Sequence, residues 1–339
     1  MKQNDAISIA KGLGIILMVI GHVGCPERMF YFIYLFHMPL FFWLSGYCFQ
    51  DKYMDDKKTF VWHRIKGLYI PFIKYNLLFI ALHNVLYSLK FFNSSYSWQE
   101  ILTKALHTLF MGNTEFYLEP YWFLRYLLLS ALAFLLLRTL FRHHPNVIRY
   151  GFWVIPLLAI PCNYYHFNHI ISCTMLLSFF FYCAGYAFKN IKITNNIYIV
   201  ILFFIIVAIA STFNHSDFIH MKTIEIIPYC IFALVGIYAT LSFSSIISKR
   251  KTFITKCLVY IGNNTLYILT WHIFAFDIFS LFYLKVIAQR PFNSIEEEYL
   301  FLHLGGIYII CYVLLGITIP LLIKVLFNYK NIRHWLHIN

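Results

Sequence analysis

Charge is scarce in this chain. Only 12% of the residues are Asp, Glu, Lys or Arg, about half of the ~25% usual in soluble domains. With 339 residues, 60% of them apolar, and a mean hydropathy of +0.68, it has more apolar side chain than a soluble core could hide. Disorder, a collagen repeat, a coiled coil and a large water-soluble enzyme are excluded together. Acid is scarcer still, 14 Asp+Glu against 27 Lys+Arg, for a net charge of +13. The eight cysteines, Cys25, Cys48, Cys162, Cys173, Cys183, Cys230, Cys257 and Cys311, contain no CxxC and no His/Cys spacing suited to a metal, so no metal site is expected. Most lie in apolar runs, where cysteine acts as a small hydrophobe. Cys25 and Cys162 could both face outward, but no disulfide is expected between them. Internal repeats are absent. What is present instead is apolar and aromatic sequence, with 36 Phe and 26 Tyr: the composition of an all-α, polytopic membrane protein.

A bilayer crossing needs about 20 residues. Runs of that kind predict ten spans near 6–24, 30–49, 68–87, 121–140, 150–162, 170–188, 197–213, 224–243, 262–284 and 302–326. The fifth is short and carries Pro156 and Pro161. The loops leave no room for a soluble domain, so 1–339 reads as a single membrane domain. Gly24-Cys25 after an apolar run resembles a lipoprotein cleavage site, but His22 stands where a small apolar residue belongs. A retained first span is therefore expected.

Placing the N-terminus in the cytoplasm puts nineteen basic residues inside, including Lys2, Arg64, Lys66, Lys189, Lys330 and Arg333, and six outside. Lys74 and Arg125 fall within spans. Cytoplasmic loops collect Lys and Arg, so both termini are expected inside. Glu100, Glu115, Glu119, Glu296, Glu297 and Glu298 all fall outside. Topology explains the basic surplus, and no nucleic-acid partner is needed.

The longest loop, about 88–120, is external. Ser97-Trp98-Gln99-Glu100 has the spacing of a capping box. Trp98, Ile101, Leu102, Ala105, Leu106 and Leu109 then form an apolar stripe, predicting an amphipathic helix in the outer interface. A second, basic amphipathic stretch, Lys249–Tyr260, is expected along the inner surface.

Ionisable groups inside spans are expensive and so mark function. Lys11 and His22, eleven residues apart, differ by about 20° around a helix and by ~16 Å along it. They share a face, Lys11 in the inner half and His22 in the outer half. Snorkelling would suit Lys11 alone, and a structural hydrogen bond His22 alone; their shared face favours function. His37 enters the second span from outside, and Pro39 frees a backbone carbonyl near it. Ser45-Gly46 suits close helix packing. Trp122 and Arg125 share a face of the fourth span near the outer surface, where Arg125 suits an anionic or sugar-rich acceptor. In the ninth span Asn264-Thr265-Leu266-Tyr267 precedes Trp271-His272. Asp277 lies 140° around the helix from His272, so the two are not a local pair.

Together these residues resemble membrane-bound acyltransferase family 3, and within it the sugar O-acetyltransferase branch that includes fucose 4-O-acetylase-like proteins. The resemblance rests on basic-x10-His (Lys11 to His22), Phe36-His37-Met38-Pro39-Leu40-Phe41-Phe42, Ser45-Gly46-Tyr47, Arg64-Ile65-Lys66 before Ile70-Pro71-Phe72, Tyr121-Trp122-Phe123-Leu124, and Asn264-Thr265-Leu266-Tyr267 before His272. It spans essentially the whole chain. There are departures: Lys11 where many members have Arg, Ser8 where many have Asp, and Gly67 where another Arg often sits. Lys keeps the charge but loses bidentate phosphate binding.

The resemblance implies an acyl-CoA donor, usually acetyl-CoA, acting as co-substrate with no bound cofactor, and a sugar or polysaccharide hydroxyl as acceptor. The anionic donor would meet Lys11, Arg64 and Lys66. An alcohol needs a base to take its proton, and histidine is suited to that near neutrality. On this reading His22 is the base, His37 its partner, and Trp122, Arg125 and His272 hold the acceptor. The cell membrane is the expected location, and self-association is left open. The alternative is a transporter or flippase of a glycolipid or small anion, which would more often show repeat symmetry.

Overall fold

In the computed structural model, residues 5–112, 115–166, 172–298 and 300–328 are described; Lys2, Lys330 and Arg333 lie outside them. All regular structure in the described residues is helical. In chain order the helices are α1 (Asp5–Gly21), α2 (Glu27–Tyr34), α3 (His37–Tyr47), α4 (Lys57–Arg64), α5 (Ile70–Ser88), α6 (Trp98–Leu109), α7 (Trp122–Leu140), α8 (Pro145–Gly151) and α9 (Val154–Tyr164). They continue with α10 (Cys173–Ala187), α11 (Ile197–Ala210), α12 (Ile226–Ser248), α13 (Phe253–Gly262), α14 (Thr265–Phe282), α15 (Ile295–Glu298), α16 (Leu300–His303) and α17 (Ile307–Asn328).

Each of the ten expected spans falls on helix. Six helical stretches are long and apolar enough to cross a bilayer: Glu27–Tyr47, Lys57–Ser88, Phe116–Leu140, Thr223–Ser248, Thr265–Ile287 and Ile307–Phe327. Val154–Tyr164, Cys173–Ala187 and Ile197–Ala210 are shorter apolar helices. The protein is a multi-pass membrane protein. The last span begins later than the sequence suggested, because Gly306 takes a left-handed φ of +65° just before Ile307, a conformation glycine adopts without steric cost.

Two compact units are present. The first comprises Met1–Met18, Pro26–Ile70 and Phe123–Asn263. At its centre α3 packs against α10, and α3 is buried on nearly all sides, with His37, Met38, Leu40, Phe42, Trp43, Leu44 and Gly46 inside. Lipid is as apolar as these side chains, so helix pairing in a bilayer depends on close packing rather than on escape from water. Glycine supplies the closeness. A Cβ built on Gly46 would stand 1.8 Å from the Tyr182 carbonyl oxygen, and one on Gly185 1.9 Å from that of Trp43. Gly262 approaches the Ser8 carbonyl in the same way, at 1.7 Å, which seats α13 against α1. The packing role expected of Ser45-Gly46 is thus reciprocal with Gly185.

The second span is broken between α2 and α3. The ring of Pro39 clashes with a helical carbonyl four residues back, at Leu35, and the chain leaves helical geometry at Phe36 (φ −139°, ψ −17°). Pro39 then sits in the first turn of α3, where a missing N–H costs nothing. A π-helical turn, Ile65–Tyr69, likewise precedes Ile70-Pro71, and the wider turn absorbs the proline.

The second unit comprises Val19–Cys25, Pro71–Trp122 and Asn264–Asn339. Here α14 packs against α17 and against the 3-10 turn Phe116–Tyr121. Aromatic rings fill the interior: Phe79, Tyr117, Trp271 and Phe274 form one contiguous group. The external loop carries the expected capping box. Ser97 Oγ accepts from the Glu100 N–H at 3.3 Å, and the Glu100 carboxylate accepts from the Ser97 N–H at 2.7 Å. The apolar stripe of α6 divides. Ile101 and Ala105 are partly covered beside the buried Thr108, whereas Trp98, Leu102, Leu106 and Leu109 are exposed. Lys104 fixes the helix, its Nζ lying 3.3 Å from the buried carboxylate of Glu115 and 4.5 Å from the Tyr96 ring. An exposed apolar row on a helix held by its polar side fits a bilayer interface.

Candidate active site

The helix α1 carries Lys11 of the basic-x10-His motif, and His22 follows directly after its last residue, Gly21. Lys11 lies in its first unit portion and is partly buried. One turn earlier, fully buried Ser8 donates to Asn263 Oδ1 at 2.9 Å. The hydroxyl therefore makes a neutral link to the end of α13.

Lys11 is one of several cations gathered in the first unit. Lys11, Arg64 and Lys189 all belong to this unit. Arg64 Nη2 donates to Tyr182 Oη at 3.3 Å, and its guanidinium lies 5.0 Å from the Phe60 ring. Lys189 Nζ donates to the Phe49 carbonyl at 2.8 Å. Two expected donor-site cations, Lys11 and Arg64, thus lie in the same unit, and Lys189 with them. Lys66, the third, is exposed on the π-helical turn. The sequence offered no reason to separate Lys189 from other loop lysines. Its place depends on the α3–α10 pairing that Gly46 and Gly185 allow.

His37 belongs to the first unit and is 1% exposed. Its Nδ1 lies 2.8 Å from the Ile33 carbonyl oxygen, and its ring meets Tyr34 edge-on at 4.8 Å. The side chain thereby bridges the break between α2 and α3. With Nδ1–H donating to a carbonyl, the neutral ring keeps its lone pair on Nε2.

His22 follows the last turn of α1 in the second unit. The backbone tightens there, with the His22 N–H donating to the Val19 carbonyl at 3.2 Å, and Gly24 turns the chain at φ +56°. The His22 ring, partly buried, meets His272 of α14 edge-on, with centroids 5.2 Å apart and planes at 88°. His272 is 0% exposed. Its Nδ1 lies 3.0 Å from the Ile268 carbonyl and 3.1 Å from that of Leu269, while its Nε2 is buried with no hydrogen-bond partner in the protein. Phe276 closes the other side of the His272 ring at 5.6 Å, and a Cβ on Gly316 would lie 2.5 Å from the Phe276 ring. The imidazole pair therefore sits in an apolar setting, with its tautomer fixed on the α14 side by two backbone carbonyls.

Other buried polar pairs line the same unit. Tyr117 Oη donates to Asp277 Oδ2 at 2.9 Å, Tyr121 Oη and Thr270 Oγ1 are 2.6 Å apart, and Ser280 Oγ and Tyr312 Oη 2.9 Å apart. Asp277 is 1% exposed. Its presence in an apolar span was legible in the sequence, but its partner, 160 residues away, was not. Trp122 and Arg125 open α7, each partly buried, with the guanidinium 5.8 Å from the Tyr126 ring. The boundary between the units falls between Trp122 and Phe123. Among the described residues, no group of three His, Cys, Asp or Glu side chains is placed to hold a metal ion.

Chemically, the arrangement offers a pair of imidazoles among apolar side chains and, in the first unit, several cations. The first suits proton abstraction from an alcohol and the second suits phosphate. Comparison with curated proteins and with solved structures gives no match. The family model of the acyltransferase domain, by contrast, matches residues 4–329, a range that takes in Lys11, His22, His37, Arg64 and His272. The chain belongs to acyltransferase family 3 and is a multi-pass membrane acyltransferase.

Proposed function

We propose that this protein transfers an acyl group, acetyl from cytoplasmic acetyl-CoA, to a hydroxyl of a cell-surface or lipid-linked sugar, working in the cell membrane with His22 as general base. The observation that carries the reading is the His22 ring set against the buried His272 inside an apolar unit. An uncharged imidazole is the form that can accept a proton.

In the proposed reaction the acceptor O–H loses its proton to His22 as its oxygen attacks the thioester carbonyl. The C–S bond then breaks, and the departing thiolate recovers the proton from His22. Lys11, Arg64 and Lys66 neutralise the donor phosphates, and Lys189 of the same unit joins them. Trp122 and Arg125 serve the acceptor, an aromatic face and a fork of donors being the usual means of holding a polar ring. His37 is assigned to support the base.

The test is direct. Inverted membrane vesicles are supplied with acetyl-CoA labelled in the acetyl group, and the label is followed into glycan. Transfer should be present with the native protein and absent with His22→Ala at equal membrane levels. Label that stays with CoA or passes through the vesicle unattached would sink the reading and favour transport.

A further inference from the structure

We infer that His272 is the positioning partner of His22, accepting a hydrogen bond from the imidazolium that forms during transfer; this rests on the assignment of His22 as the base. The starting point is an unsatisfied atom. A buried polar atom without a partner is costly and rare, and His272 Nε2 is such an atom on a residue with 0% exposure. The state of that atom follows from the other side of the ring. Two carbonyls face Nδ1, at 3.0 and 3.1 Å, and a carbonyl can only accept, so the hydrogen resides on Nδ1. Protonating Nε2 as well would create a buried cation, and the rings that meet this one are those of His22 and Phe276. His272 is therefore a neutral acceptor of fixed tautomer.

His22 is the polar ring beside it. Among the described residues the His22 side chain makes no hydrogen bond, and it stands perpendicular to His272 at 5.2 Å between centroids. A small reorientation brings one His22 N–H to the His272 lone pair. That contact would select the tautomer of His22, leaving its second nitrogen free for the acceptor alcohol. Once that nitrogen has taken the alcohol proton, the same contact would stabilise the resulting cation. No proton passes to His272: one moves from the alcohol oxygen to His22, and later from His22 to the thiolate. A base held and charge-compensated by a third group is a general solution to this problem. Here a backbone-fixed imidazole would take the place often filled by a carboxylate.

The experiment compares His272→Gln, whose amide oxygen can reach the region of Nε2, with His272→Phe, which fills the space but accepts nothing. Purified full-length protein in proteoliposomes is assayed with acetyl-CoA across pH. His272→Phe should lower kcat about 100-fold with the donor KM little changed, within the range associated with positioned acid–base groups. The acid limb of its kcat/KM profile should move to lower pH, because the His22 cation has lost its acceptor. His272→Gln should recover at least about tenfold of that loss. In a His22→Ala background, His272→Phe should cost nothing more, since the pair acts as a unit.

Equal losses in the Phe and Gln variants with an unmoved acid limb overturn the inference, and so does full activity of His272→Phe. If His272→Phe does not fold, His272→Asn replaces it. Its shorter amide reaches the Nδ1 region only, and it must fall well below Gln. Inactive His22→Ala with fully active His272→Phe leaves the base standing and removes its partner. Active His22→Ala removes both.

Discussion

The two units differ in what their closely packed glycines meet. In the first, three helix contacts run backbone to backbone: Gly46 meets the Tyr182 carbonyl, Gly185 that of Trp43, and Gly262 that of Ser8. In the second, Gly316 meets side chains instead, those of Phe276 and Val19. Aromatic rings pack in both units, Phe42 with Phe123 and Phe218 in the first and Phe79 with Tyr117 and Trp271 in the second. Both also hold polar pairs, Ser8 with Asn263 and Arg138 with Tyr186 in the first, Tyr117 with Asp277 and Tyr121 with Thr270 in the second. Where backbones are in contact, specificity of fold is set by the absence of a side chain. Where a glycine faces a ring, the ring can give way.

Four measurements would sharpen or break that contrast. The largest effect is expected in the second unit. His22→Ala should lower acyl transfer by about 10²–10⁴-fold, the usual worth of a positioned base, with unchanged folding. Retained transfer at normal protein levels would mean the chemistry lies elsewhere.

Next comes a paired test of packing. Gly46→Ala should destabilise the protein by about 1–3 kcal/mol or more, as overpacking does, because a carbonyl oxygen cannot step aside. Gly316→Ala should cost clearly less, since the Phe276 ring can shift. Thermal unfolding in detergent reads both, and equal losses would erase the distinction between the units.

For the first unit, Lys11→Ala should raise the donor KM about tenfold, the value of one charge-assisted hydrogen bond of roughly 1.5 kcal/mol. Lys11→Arg should retain or improve binding, since Arg adds a bidentate fork. A KM unmoved by Lys11→Ala would detach Lys11 from the donor.

The smallest effect concerns the external helix. Ser97→Ala should cost about 1 kcal/mol locally, seen as faster hydrogen exchange at the Glu100 amide. The hydrogen bond from the Ser97 N–H holds the Glu100 carboxyl below its ordinary range. A depressed carboxyl pKa gives stability that is present above the unfolded value and lost as pH falls through the folded one. Protection of the first turn of α6, corrected for intrinsic rates, should therefore be steady near neutrality and weaken in acid. A pH-independent first turn would rule out the reciprocal cap.

Much of this was legible along the chain, for reasons that are local. The ten apolar stretches and the capping box at Ser97 involve neighbours within a few residues, so periodicity reveals them. So do the motif Lys11 to His22, the packing pair Ser45-Gly46, and the charged residues that stand out in apolar runs. Other features were hidden because they depend on pairing across long separations. The sequence pointed to His37 as the companion of His22. The ring that meets His22 within its own unit is His272, 250 positions further on. Arg138, one of the nineteen basic residues placed inside, is buried and reaches Asp51, Tyr186 and two backbone carbonyls.

By itself, then, the sequence determined that this chain is an all-helical, multi-pass membrane protein, and which few ionisable groups stand in its apolar runs. Those outcomes follow from single residues weighed against their solvent. Only the tertiary structure decided which of those groups meet. It set His272 against His22 with one nitrogen bound and the other open, and it tied Lys189 to the Phe49 carbonyl just past α3. The physical reason is that a hydrogen-bonding atom is satisfied or left open by whatever helix arrives beside it. That depends on packing between distant segments, which no local pattern encodes.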